Sequence, residues 1–399
     1  MLNSLDGWRR KSLGDCCKDK GSYGANAPAE PYRADFPRYI RITDINSDGS
    51  LRSDKLKSLN PANAKGNELL EGDIVFARSG ATVGKTYLHD GSFIAAYAGY
   101  LIKFHTLHDM LLPEYLLQYT KGPLYKKWIA QSFRAGAQPN INAEEYSNLI
   151  IPVPPLKEQH GISEILQTWD EAIAAIQKAI DLRQHQYNGL RELLINWNSS
   201  YQQPIKNLVS NVSRKVLRPN KPYTALSIRS HGKGTYKRFV SDPDSVAMEH
   251  LYIAKANDLI VNITFAWEGA VALVPKEHDG GLVSHRFPTF APIEGKVDSR
   301  FLRHALRMPR FTYLLSVVSP GGAGRNRVLN KTDFLNLTMP VPPLEEQNRI
   351  SKILDDSEKA ISVERDRLEI IKRQKRGLMQ KLLTGEWRVS TNSQGEASA

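Results

Sequence analysis

Apolar positions along this chain alternate between two regimes. From residue 1 to about 150, short runs such as Asp73-Ile-Val-Phe-Ala77 and Tyr97-Ala-Gly-Tyr-Leu-Ile-Lys-Phe104 sit between Gly and Asn/Asp turns. They predict strands, and a helical stretch is predicted near Pro113–Tyr119. After a proline-rich stop the spacing changes to alternating fours and threes: Ile162, Leu166, Trp169, Ile173, Ile176 and Ile180. This is a heptad seam, the signature of a helix packed along a second helix. Arg183 interrupts it, and Tyr187, Leu190 and Leu194 resume it. The mixed regime returns after about residue 197 and the seam after about 340, as Ile350, Leu354, Ile361, Leu368, Ile371, Leu378 and Leu382. Ser357, Glu364 and Lys375 break this second seam, and Gly385 is placed to cap its end.

The second half restates the first. Leu149-Ile-Ile-Pro-Val-Pro-Pro-Leu-Lys-Glu-Gln159 returns as Leu337-Thr-Met-Pro-Val-Pro-Pro-Leu-Glu-Glu-Gln347, an offset of 188 residues that persists to Leu194/Leu382. The helical parts match well. The mixed parts match weakly, through Gly72-Asp73 against Asn257-Asp258 and His89-Asp-Gly91 against His278-Asp-Gly280. A period this long is a duplicated module rather than a solenoid repeat. Each predicted helix of about 40 residues is on the order of 60 Å long. Paired antiparallel, two such helices make a rod with one mixed part at each end, a pseudo-two-fold arrangement written on one polypeptide.

Composition adds a partner class. The 399 residues are enough for two or three domains, and the formal net charge of +12 favours a polyanion. No run of about 18 apolar residues predicts a membrane span, and the N-terminus lacks the apolar core of a signal peptide. Cys16 and Cys17 are adjacent, which suits neither a disulfide framework nor a zinc site. A cytoplasmic protein without membrane contact is expected.

Catalytic patterns are decoys. Gly80-Ala-Thr-Val-Gly84-Lys85-Thr86 is one residue short of a phosphate loop. Asn60-Pro61-Ala62 lacks the aromatic of an amino-methylating motif, and no paired His or Cys spacing predicts a metal site. Side chains able to read bases are plentiful, because Arg forks onto guanine and Asn or Gln onto adenine. The candidates lie on matched small-residue loops. Arg134, Gln138 and Asn140 correspond to Arg325, Asn326 and Arg327; Arg78 and Ser79, with Lys85 nearby, correspond to Asn262 and Thr264. A protein-binding scaffold and a self-sufficient methyltransferase are the competing classes.

The doubled Pro-Val-Pro-Pro-Leu-x-Glu-Gln, each followed by a heptad helix, resembles the specificity subunit of type I restriction-modification systems. The closing Gly377-Leu-Met-Gln-Lys-Leu-Leu-Thr-Gly385-Glu-Trp-Arg388 and the segment Ala135-Gly-Ala-Gln138-Pro-Asn140 are also similar to that family. The resemblance implies an α+β fold with two mixed α/β target recognition domains separated by two long antiparallel coiled-coil helices. The domains would span 1–150 and 198–339, the helical spacers 151–197 and 340–386, and a disordered tail 387–399. It implies double-stranded DNA and two methyltransferase subunits as partners, with restriction subunits in some complexes. The chain itself would bind no cofactor; S-adenosylmethionine, ATP and magnesium would belong to the partners.

Overall fold

The computed structural model describes residues 7–133, 139–319 and 327–389. They form two compact units, one of residues 1–177 with 367–399 and the other of residues 178–366. Each unit holds a mixed α/β part and a piece of both long helices. These are the central helix, Leu156–Leu194, and the C-terminal helix, Leu344–Leu383.

In the first unit a four-stranded sheet runs in the order Ser22–Tyr23, Leu101–His105, Asp73–Ala77, Thr86–Leu88. The second unit repeats that order with Val209–Val212, Thr289–Pro292, Leu259–Val261 and Val271–Leu273. The Asp73–Ala77 strand is buried throughout, and its neighbours on both sides are antiparallel. Its first residue explains the Gly72-Asp73 and Asn257-Asp258 match. Asp73 Oδ2 accepts from the Leu70 amide at 2.8 Å, and Asp258 Oδ2 accepts from the Lys255 amide at 2.7 Å. The residue before each aspartate has positive φ, +83° at Gly72 and +66° at Asn257. Glycine and asparagine are the residues that adopt this conformation most readily. Each unit also has a five-stranded sheet, and these two differ in strand order and length.

The repeated proline motif closes each mixed part. Ile150–Val153 pairs antiparallel with Arg9–Ser12, and Thr338–Pro340 pairs with Gln202–Pro204. The glutamine at the end of the motif then locks the helix start. Gln159 is fully buried; its Oε1 accepts from the Leu112 amide, and its Nε2 donates to the Met110 and Pro154 carbonyls, all at 2.8 Å. Gln347 repeats this with the Asp298 amide and the Lys296 and Pro342 carbonyls. A side-chain amide is suited to this place because it both accepts and donates.

The two long helices run antiparallel in both units. In the first, Asp170 meets Lys375 while Glu158, nearer the start of the central helix, meets Arg388 beyond the C-terminal helix. In the second, Tyr187 meets Glu358 while the earlier Arg183 meets Glu364. The seam residues are buried or half-buried: Ile162, Leu166, Ile180, Ile350, Leu354, Ile361 and Leu368 fully, and Trp169, Ile173, Ile176, Ile371 and Leu378 partly. Three of the apparent interruptions, Arg183, Glu364 and Lys375, are polar partners within the seam. Arg183 faces Glu364 at 4.0 Å, and Lys375 is buried against Asp170.

The compact units divide inside the helices at 177/178 and 366/367. The reason is that Ile162 and Leu166, with Met379, Leu382 and Leu383, join the core of the first mixed part beside Leu111 and Tyr115. The tail expected from 387 is ordered through Val389. Arg388 bonds the buried Glu158 through Nε at 2.7 Å and Nη2 at 2.9 Å, and Val389 packs at Gly161. Residues 390–399 lie outside the described residues. Among the described residues, no helix is long and apolar enough to cross a membrane.

Candidate nucleic-acid interface

In the first unit, two of the predicted loops come together. The chain leaves the buried Asp73–Ala77 strand at Arg78, whose carbonyl accepts from the Ile141 amide at 2.9 Å. Ser79 bridges Asn140, and the Gly80 amide donates to the Pro139 carbonyl at 3.0 Å. Behind this clasp, Asn142 and Glu145 form a reciprocal capping box on the helix Ala143–Ser147. The Tyr146 hydroxyl donates to the Ala77 carbonyl at 2.9 Å. Arg78, Ser79 and Asn140 therefore stand on one rigid junction. The Arg78 guanidinium lies 4.9 Å from the centre of the Tyr23 ring, and its Nε donates to Asn140 Oδ1 at 3.4 Å.

The second unit makes the same junction from different residues. The Leu329 amide donates to the Ile263 carbonyl at 2.8 Å, the counterpart of the Ile141 bond. Asn262 Oδ1 accepts from the Thr264 amide at 3.1 Å and shapes the turn between them. Asn330 caps the helix Lys331–Asn336, as Asn142 caps its counterpart. Arg327 lies 5.3 Å from the centre of the Trp267 ring. So Asn262, Thr264 and Arg327 also share one place.

Lys85 stands apart from these sets. Its ammonium donates to the Ile45 carbonyl at 2.9 Å and braces two loops. Arg134, Gln138, Arg325 and Asn326 lie outside the described residues. Sequence reasoning missed Tyr23 and Trp267. Tyr23 is 55 positions from Arg78 and carries no local signal.

A matched family model decides what this repeated frame is. The model describes the type I restriction modification DNA specificity domain, and it matches residues 6–182 and 218–373. Each match covers a mixed part and runs into a long helix. The chain belongs to this specificity family. Similar relatives are the proteins named as the specificity subunits of the type I restriction enzymes MjaX (putative) and MjaVIII of Methanocaldococcus jannaschii. The first is 26% identical over 352 residues, covering 81% of this chain and 80% of the relative. The second is 21% identical over 347 residues, covering 80% of each. Among solved structures, the S subunit of a type I system from M. genitalium superposes with TM-score 0.58 at 15% identity, covering 96% of this chain and 98% of that one. A chain from a study of assembly and conformational transition in the type I system gives 0.57 at 16%, covering 96% and 99%. At these identities the likeness establishes the shared fold.

The specificity-family repeat also explains how each mixed part is fastened to its helices. In the first unit, Asp170 on the central helix receives Gln118 Nε2 at 3.1 Å and Lys121 Nζ at 3.3 Å from the helix Pro113–Lys121, and Lys375 from the C-terminal helix. One repeat later, Glu358 receives Arg303 at 2.6 Å from the helix Ser299–Leu306, Arg307 at 2.8 Å from that helix's C-cap, and the Tyr187 hydroxyl at 2.9 Å from the central helix. Asp170 and Glu358 are one offset apart, as are Tyr187 and Lys375. Burial alone would raise both carboxyls. Lys121 and Lys375 outweigh it at Asp170, and Arg303 and Arg307 at Glu358, so both stay below the ordinary carboxylate value.

His304, Asp355 and Glu358 offer three donor atoms within 4.8 Å of one another. Their chemistry is that of a salt-bridge cluster. Asp355 already carries Arg303 at 2.6 Å and His304 at 2.8 Å, and Arg303 and Arg307 neutralise Glu358. A divalent cation here would stand against two guanidinium groups.

Proposed function

We propose that this chain is the DNA-reading subunit of a type I restriction-modification complex and that its two units read the two parts of a split, asymmetric target. The observation that carries this reading is the repeated junction. The same backbone bonds, Ile141 to Arg78 and Leu329 to Ile263, hold two different sets of base-reading side chains. A common frame with divergent tips suits two readers of unlike sequence. The net charge of +12 supplies the sequence-independent attraction to phosphates, and the junction side chains supply the choice of sequence. The exposed Lys237 and Arg238 in the second unit are suited to phosphate contact.

In this reading the chain performs no chemistry. Two methyltransferase subunits carrying S-adenosylmethionine would methylate the target, and restriction subunits using ATP and magnesium would cut DNA in complexes that include them. Two similar helix pairings in one chain suit two copies of one partner.

Duplex binding tests the reading against a protein-binding scaffold. The purified full chain, or its complex, is expected to bind duplex DNA with an affinity that falls at least about ten-fold from 50 to 200 mM salt, as several released counterions require. It is expected not to retain S-adenosylmethionine without its partner. Binding that is absent, or indifferent to salt, would favour the scaffold.

A further inference from the structure

Each unit holds one guanidinium against one aromatic ring beside its clasp, although the two sequences there are unrelated. In the first unit the ring is Tyr23, fixed at both ends. Its backbone pairs with Ile102 in the sheet, and its hydroxyl accepts from the Ala143 amide at 3.1 Å. Tyr23 is 44% exposed and Arg78 is half-buried beside it, at the edge of the fold. The Arg78 Nε also donates to Asn140 Oδ1 at 3.4 Å. In the second unit Trp267 carries Arg327 at 5.3 Å. Both separations are within the range of cation–π attraction, up to about 6 Å.

An arginine that meets a phosphate needs only its charge, and a free side chain serves. An arginine that forks onto the O6 and N7 of guanine must present its plane in one direction. A ring beneath the guanidinium limits that direction before DNA arrives and reduces the ordering required on binding. We propose that Arg78 and Arg327 each read a guanine, one in each half of the target, and that Tyr23 and Trp267 are the positioning residues that aim them. This rests on the DNA-reading function proposed above and goes beyond it by naming the base and the positioning side chains.

Methylation-aware sequencing of DNA from cells carrying the full chain with its methyltransferase reads the target directly. The unaltered chain is expected to give a bipartite motif with a guanine in each half. Arg78→Ala should relax one of those guanines about ten-fold or more. Tyr23→Leu should relax the same position about two- to five-fold, while Tyr23→Phe, which keeps the ring, should hold the preference. Arg327→Ala and Trp267→Leu should relax the guanine of the other half alone. Because Arg78 lies at the edge of the fold, Arg78→Ala keeps the test decisive if Tyr23→Leu fails to fold. Relaxation of a base other than guanine, or a uniform loss across all sequences, would overturn the proposal. A bipartite motif untouched by these variants would overturn it alone; no bipartite motif from the unaltered chain would overturn the functional reading with it.

Discussion

Replacing Gln159 with alanine is expected to destabilise the first unit by about 3–5 kcal/mol, more than any exposed substitution in the chain. The side chain is fully buried and satisfies one amide and two carbonyls from three segments. Alanine strands one buried and two part-buried backbone groups around a fully buried position, and each stranded buried group costs about 1–3 kcal/mol. The conservative change is expected to be no better. A glutamate could accept from Leu112 but would set a carboxylate oxygen against the Met110 and Pro154 carbonyls, which need a donor. For a unit of this size the loss corresponds to a fall in melting temperature on the order of 10 °C. Thermal unfolding of Gln159→Ala and Gln159→Glu checks this. Gln347→Ala should weaken the second unit through the Asp298, Lys296 and Pro342 contacts. A glutamate variant as stable as the parent would show that the motif glutamine acts only as an acceptor.

The second large effect concerns the polar pairs in the helix seam. Asp170→Ala is expected to cost about 3 kcal/mol, the lower end for breaking a buried pair, because Asp170 keeps some solvent contact. Lys375 is left buried with Lys121 as a like-charged neighbour. Burial already lowers the Lys375 ammonium below its ordinary value against the pull of Asp170, and without Asp170 it falls further. The double variant Asp170→Leu with Lys375→Leu is expected to recover most of the loss, since apolar residues of similar size replace a buried ion pair with little net change. Recovery would assign the pair to helix register rather than to net stability. The sign with pH follows from the depressed carboxyl. Its stabilisation is present above the unfolded carboxyl value and is lost as pH falls through the lower folded value. The Asp170→Ala chain should therefore lose less stability on acidification than the parent. A double variant as unstable as the single one would mean that the pair is needed for the fold itself.

These two sites show where the sequence was legible. The heptad pattern found both long helices and their apolar seam, because that signal is local and periodic. The same pattern marked Arg183, Glu364 and Lys375 as interruptions. A count of apolar residues cannot recognise that two charged residues far apart in the chain face one another. The motif glutamines were visible as a repeat, but their role depends on carbonyls and amides contributed by other segments. The junctions were half legible: Asn140 and Arg78 lie on recognisable small-residue loops, whereas Tyr23 reaches them through sheet pairing and a hydroxyl contact to the Ala143 amide, neither of which is a local signal. The start of the tail was misplaced because its polar composition hid the fit of Arg388 to the buried Glu158, a residue on the other long helix.

The central claim is that each unit reads its own part of the target. Exchanging residues 200–335 for the same segment of a specificity-family relative, followed by methylation-aware sequencing of host DNA, tests it most directly. The two-reader account predicts that one half of the recognised motif changes and the other half stays as it was. Both halves changing together would contradict it.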